Sequence, residues 1–179
     1  MNLILPIDDA LYLSEYQSTD APTLVEFLND IEIARNTSTI PYPYTSDDAH
    51  RWLQMVADGT AQNGGPSNWA IRHEIKGLVG GIGIFLHKGW TGHFDELGYW
   101  LGAPYRGQGW MSKTVLRFTE WQFELRPGLL RMEAWVYAHN TPSQRVLENA
   151  GFQREGVARK RFLKNGDALD GVLFGRLRD

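Results

Sequence analysis

Apolar and polar residues change their period several times along the chain, and each change predicts an element. Leu11-Tyr12-Leu13 is a short strand-like run. Thr19 or Asp20, just ahead of Ala21-Pro22, has the form of a helix start, with proline early in the first turn. Leu24, Val25 and Leu28 give that helix an apolar face. Residues 31–45 lose the period: Pro41 and Pro43 break any helix, and Tyr42 and Tyr44 alternate with them. Ser46 then predicts an N-cap for a helix over Asp47–Val56, with Trp52, Leu53 and Val56 inward. A polar loop over Asp58–Asn68 leads to strand-like Trp69-Ala70-Ile71 and Leu78–Phe85. Gly80, Gly81 and Gly83 in the latter suggest close packing or a bulge. His87–Phe94 connects to a strand at 96–101.

The second half is more regular. Met111, Val115, Phe118 and Trp121 recur at spacings of four, three and three, the apolar stripe of a helix that begins near Ser112 and ends at Pro127-Gly128. Residues 130–138 alternate, with Leu130, Met132, Ala134, Val136 and Ala138 on one face and Arg131, Glu133, Trp135 and Tyr137 on the other. Thr141 as N-cap, Pro142 at the first helical position and Gln144 as the far half of a capping box predict the next helix, and Gly151 is placed to cap its C-terminus. Val157–Leu163 and Ala168–Leu177 flank Lys164-Asn165-Gly166-Asp167, whose Asn-Gly pair predicts a type I′ hairpin. Early helices, middle strands and a closing β-α-β-α-β-β order predict an α/β (α+β) protein with a mixed sheet.

Composition narrows the classes. A chain of 179 residues, 42% hydrophobic and 22% charged, suits one domain over residues 1–179 with a substantial core. Its net charge of −3 argues against a dedicated nucleic-acid partner. With no cysteine there is no disulfide, thiolate zinc site or acyl-cysteine intermediate. The five histidines lack ligand spacing, so no metal is expected. No run reaches the roughly 18 apolar residues of a membrane helix, and no signal-peptide pattern opens the chain. The expectation is a cytoplasmic protein without a membrane partner.

The chemistry centres on Arg106-Gly107-Gln108-Gly109-Trp110-Met111, which lies between a strand and a helix start. Unpaired N–H groups and the positive end of the helix dipole make such a turn a phosphate site, and two glycines keep side chains out of the anion's way. The third glycine of a dinucleotide fingerprint is replaced by Ser112, and no P-loop occurs. The stretch resembles the pyrophosphate loop of the GNAT superfamily of N-acetyltransferases, Gln/Arg-x-x-Gly-x-Gly/Ala. Arg106 and Gly109 stand at its first two fixed positions, and Met111 departs from the last. His139 to Phe152 resembles the Asn-x-x-Ser…Gly-Phe segment of the RimJ/RimL-like branch, as does Gly98-Tyr99-Trp100-Leu101. The resemblance covers about residues 68–175 and implies a mixed, mostly antiparallel central sheet flanked by helices.

It also implies an activity: transfer of the acetyl group of acetyl-CoA, as co-substrate, to a primary amine by direct attack in a ternary complex. By resemblance the backbone at Trp100 and Leu101 pairs with the pantetheine arm. The N–H groups from Gly107 through Gln108, Gly109 and Trp110 to Met111 hold the pyrophosphate, and Arg106 opens the loop. Glu96 is the candidate general base, through water, with Asp95 beside it able to do the same work or merely be solvated. The position of the thiolate-protonating tyrosine of many superfamily members is Leu147 here; the RimJ/RimL-like branch that the chain resembles has a serine at the position of Ser143, which makes Ser143 the candidate donor to the CoA sulfur. Asn140 would bond the pantetheine or a bound water. Arg35, Asn36, Tyr42 and Tyr44 fall in the segment that in this fold walls the acceptor cleft. Met111, being bulky, could bias acyl choice.

Each role has a plainer reading: a simple β–α turn for the glycines, core packing for Trp100 and the tyrosines, and solvation for Arg35. The basic run Arg154, Arg159, Lys160, Arg161 and Lys164 could draw an acidic partner or only solvate a sheet edge. The acceptor is a peptide N-terminus or a small molecule, and a homodimer is left open. The competing classes are a non-catalytic acyl-CoA-binding module of the same fold and a nucleotide-binding protein unrelated to CoA.

Overall fold

The computed structural model describes residues 4–178. Its strands are β1 (Leu5–Pro6), β2 (Leu11–Ser14), β3 (Asn68–His73), β4 (Gly77–Leu86), β5 (Phe94–Leu101), β6 (Arg131–Tyr137), β7 (Gln153–Lys164) and β8 (Asp167–Leu177). They lie in the order β1-β2-β3-β4-β5-β6-β8-β7, a mixed and mostly antiparallel sheet of the expected class. The parallel pair is β5–β6, with Glu96 opposite Glu133. Parallel neighbours need a long crossover, and the helix α4 (Trp110–Leu125) supplies it. The remaining helices are α1 (Ala21–Leu28), α2 (Ile31–Asn36), α3 (Ser46–Asn63) and α5 (Thr141–Asn149).

The chain packs as two compact units. One takes the residues up to Gly83 together with Tyr99–Trp110; the other takes Ile84–Gly98 and the residues from Met111 onward. In the first, Leu24, Leu28, Ile33, Tyr44, Leu53 and Leu78 form the apolar cluster, with Tyr16, Trp52 and Trp100 packed on it. A buried ion pair joins Arg72 on β3 to Asp20 (2.8 Å). In the second, Val115, Phe118, Met132, Leu147 and Phe174 are buried, as the stripe on α4 and the even face of β6 predict. Its β7–β8 hairpin turns at Asn165 and Gly166, both at positive φ (51° and 90°), the type I′ geometry that Asn-Gly selects. β7 ends the sheet, and its register shifts between Ala158 and Phe162, where Lys160 sits at φ 52°.

Several boundaries differ from the sequence reading. Thr45, not Ser46, caps α3, exchanging bonds with Asp48. The helix continues through Gly59 to Asn63, where a loop was expected, and stops at Gly64 (φ 71°), which takes the left-handed cap conformation. Residues 31–36, expected to be irregular, form α2 because the Asp30 carboxylate accepts from the Glu32 N–H (2.9 Å). Asp20 does not cap α1 through its side chain; its carboxylate accepts from the Gln17 N–H (2.8 Å) and from Arg72. Asn140, not Thr141, caps α5. No helix among the described residues is long and apolar enough to cross a membrane.

Candidate active site

The glycine loop belongs to the first unit and begins where β5 ends. Tyr105 donates its N–H to Gly102 (3.0 Å), closing a short 3-10 turn. Gly107 and Gly109 then both take φ 75°, a left-handed conformation that a side chain disfavours. Nothing lies within 4 Å of where a Cβ would stand at either, so the backbone is open there. α4 starts at once, at Trp110, and the N–H groups of a helix's first turn have no carbonyl of their own helix to bond. The Trp110 ring stacks on Tyr105 (5.7 Å between centroids) and tilts against His73 (5.2 Å), which fixes the loop's exit. A turn of this kind at a helix start can receive an anion on its backbone N–H groups.

Arg106 lies at the loop's entrance, but its guanidinium is already engaged. It binds the Asp30 carboxylate at 2.6 Å and donates to the Leu101 carbonyl at 3.0 Å, tying the loop to the cap of α2. It therefore shapes the loop. The Trp100 ring lies in the apolar cluster, and a Cβ at Gly81 would strike it, so of this residue only the backbone is left for the pantetheine role that the resemblance implies. Leu101 precedes the turn and supplies the carbonyl that Arg106 holds. Gln108 is exposed and donates from its side chain to the Pro104 carbonyl (3.2 Å). Met111 is buried on the α4 stripe, so what it offers the loop is its N–H and not its side chain.

The acceptor-side candidates of the first unit separate. Tyr44 is buried in the cluster, and Asn29 holds both its N–H (2.9 Å) and its carbonyl (2.5 Å). Burial, with Asp48 adding to it, pushes its phenol up to about 12. It is a core residue because the alternation with proline turns Tyr42 outward and Tyr44 inward. Tyr42 is exposed and, with Asp30, Phe27 and Pro104, lines a cavity of about 460 Å³ beside the loop's entrance. Arg35 is exposed and paired with Glu32 (3.0 Å), and the Asn36 amide donates to the Glu32 carbonyl (2.8 Å).

The acid–base candidates belong to the second unit. Asp95 is not solvated: its side chain is 1% exposed, paired with Arg126 (2.5 Å) and accepting from the His87 N–H (2.9 Å). Glu96, its neighbour, points to the opposite side of β5. It is half-buried, and its carboxyl is held above the usual range by burial first and by Glu133 second; Arg161 and His87 pull the other way. Glu133 itself accepts from Arg131 (3.0 Å), which also grips Glu155 through both amino groups (2.7 and 2.5 Å). Periodicity placed Glu133 on its face of β6 but could not reveal its partner on β5. The Asn140 carboxamide oxygen accepts from the Ser143 N–H (3.2 Å), which brings those two candidates together at the start of α5. Among the described residues no cluster of His, Cys, Asp and Glu could hold a metal ion.

The sequence signature described as "Acetyltransferase (GNAT) domain" matches residues 10–153, most of the chain. The chain belongs to the GNAT acetyltransferases. The acetyltransferase is 33% identical over 167 residues to the uncharacterized N-acetyltransferase YoaA of Bacillus subtilis, covering 93% of this chain and 92% of that one. It is 28% identical over 170 residues to the uncharacterized N-acetyltransferase p20 of Bacillus licheniformis, covering 95% and 94%. Among solved structures, RimL, a ribosomal L7/L12 alpha-N-protein acetyltransferase in complex with coenzyme A, has the same fold: TM-score 0.86, 20% identity, 98% of each chain. The enzyme class is thus acetyl-CoA-dependent acetyl transfer, with acetyl-CoA as co-substrate.

Proposed function

We propose that this acetyltransferase acetylates a primary amine by direct attack on the acetyl-CoA thioester in a ternary complex, with Glu96 as the general base. The observation that carries the reading is the contrast on β5: Asp95 is locked to Arg126, while Glu96 is half-buried with its carboxyl held above the usual glutamate range. Glu96 accepts the ammonium proton through water, and the neutral nitrogen forms the new C–N bond to the thioester carbon. The C–S bond then breaks; Ser143 gives its hydroxyl proton to the departing thiolate and regains one from the nitrogen, which sheds its second proton as the amide forms. Asn140 holds the first turn of α5 in place through the Ser143 N–H. The open backbone from Gly107 to Met111 grips the CoA pyrophosphate. An α-amino group ionises near 8 and a lysine near 10.4, so an α-amine asks less of the base. That agrees with the RimJ/RimL-like motifs at 98–101 and 139–152. Tyr42, Arg35 and Asn36 wall the acceptor side, and the whole chain works as one catalytic domain in the cytoplasm.

Gly109→Trp tests the donor half. It should raise the acetyl-CoA KM at least tenfold or abolish binding; unchanged kinetics would remove the phosphate role. CoA binding without turnover on a broad amine panel would leave a non-catalytic acyl-CoA module.

A further inference from the structure

The second unit carries a guanidinium seated on two aromatic rings. Arg126, Arg131 and Arg176 are each paired with a carboxylate. Arg161 is not: among the described residues no carboxylate lies within ion-pair distance, and its guanidinium rests over the Trp135 ring (4.9 Å) and the Phe162 ring (5.5 Å). This perch is built. The register shift in β7 between Ala158 and Phe162 displaces the strand, with Lys160 at positive φ and its N–H tied to Asp170 (2.8 Å). Gly171 on β8 leaves the room: a Cβ there would stand 3.1 Å from the Arg161 side chain and 2.7 Å from the Phe162 ring. Both side chains can therefore reach across β8 to Trp135 on β6.

Trp135 is two residues from Glu133 and on the same face of β6, roughly 6.6 Å further along the strand. Glu133 is the register partner of Glu96, so all three side chains rise from one side of the parallel pair. Going along that face, two carboxylates give way to one unpaired guanidinium on an aromatic base. The Glu96 carboxyl senses that guanidinium electrostatically.

We infer that Arg161 reads a carboxylate on the acceptor, so that the amine acetylated at Glu96 is one that carries a carboxylate a few bonds away. The inference rests on Glu96 being the site of amine deprotonation. An ammonium at Glu96 and a carboxylate at Arg161 would complement this charge order. A guanidinium is suited to the second place because its planar fork takes both carboxylate oxygens. The carboxylate is either the α-carboxylate of a free amino acid or an acidic side chain near a peptide N-terminus.

The test is steady-state kinetics of wild type, Arg161→Gln and Arg161→Lys with four acceptor sets: free L-amino acids, the same amino acids as amides, tripeptides with an acidic second residue, and tripeptides with a neutral one. In wild type, kcat/KM should favour one carboxylate-bearing set over its neutral counterpart by about tenfold to a hundredfold, and which set it is identifies the source. Arg161→Gln should erase that preference through acceptor KM while sparing the acetyl-CoA KM. Arg161→Lys should recover part of it. Equal use of both members of each pair by wild type, or an equal loss on both in Arg161→Gln, would overturn the inference and leave amine acetylation standing. Loss of all preference-independent turnover only in Glu96→Gln would confirm the site on which the inference depends; turnover unchanged in that variant would remove both.

Discussion

Glu96 makes a prediction of definite sign. Folding holds its carboxyl above the ordinary glutamate value, chiefly by burial. Stability from this group is therefore fully present below that ordinary value, falls as pH rises through the raised one, and is missing at neutrality. Glu96→Gln should raise the melting temperature at neutral pH, and the gain should vanish below about pH 4, where both forms are uncharged. The same substitution should lower kcat by about 10²–10⁴-fold. In wild type the acid limb of kcat/KM should fall above the ordinary glutamate range. A variant that is both less active and less stable at neutral pH would contradict this account. None of it was legible in the residue itself: Asp95 and Glu96 are adjacent acids, and what separates them is Arg126 on one side and Glu133 on the other, both more than 30 positions away.

At the scale of elements the sequence was read more fully. The stripe on α4, the alternation of β6 and the Asn165-Gly166 turn all lie where periodicity and turn chemistry put them. The two misassigned caps, at α3 and α5, share a cause. Thr45-Ser46 and Asn140-Thr141 each offer two adjacent side chains able to cap, and the choice between them depends on which carbonyls and N–H groups the fold brings near. Asp20 had the composition of a cap and was drawn away by Arg72, 52 residues distant. Because Asn140 is the cap of α5, Asn140→Ala should cost about 1 kcal/mol in chemical denaturation. Asn140→Asp, which can still accept from the Ser143 N–H, should keep most of that stability. If the carboxamide also bonds pantetheine, Asn140→Asp alone will separate the roles, with stability retained and the CoA KM raised.

For the whole molecule, the family and the mixed, mostly antiparallel sheet followed from three motifs in the right sequence and spacing, whereas the division into two compact units had no signal: no linker or change of composition marks Gly83 or Trp110. The prediction at this scale is linkage. Acetyl-CoA at a hundred times its Kd should stabilise the folded chain by about 2.7 kcal/mol, which for a chain of this size is a rise of roughly 5–11 °C in melting temperature. ATP and NAD at the same concentration should produce no comparable rise, and a response to either in preference to CoA would reopen the nucleotide reading.

The two ends of the sheet bear on self-association. β1 is two residues long and contains Pro6, which has no N–H to give a newcomer. β7 is twelve residues long and unpaired on its outer side, the shape of strand that invites a second copy to extend the sheet. Its kink at Lys160 breaks the flat ladder such docking would need, and an antiparallel copy would bring Arg154, Arg159 and Lys164 against another set of the same charges. If copies of this chain pair, they must do so through faces other than these edges, and the enzyme should resist strand-by-strand polymerisation even when concentrated.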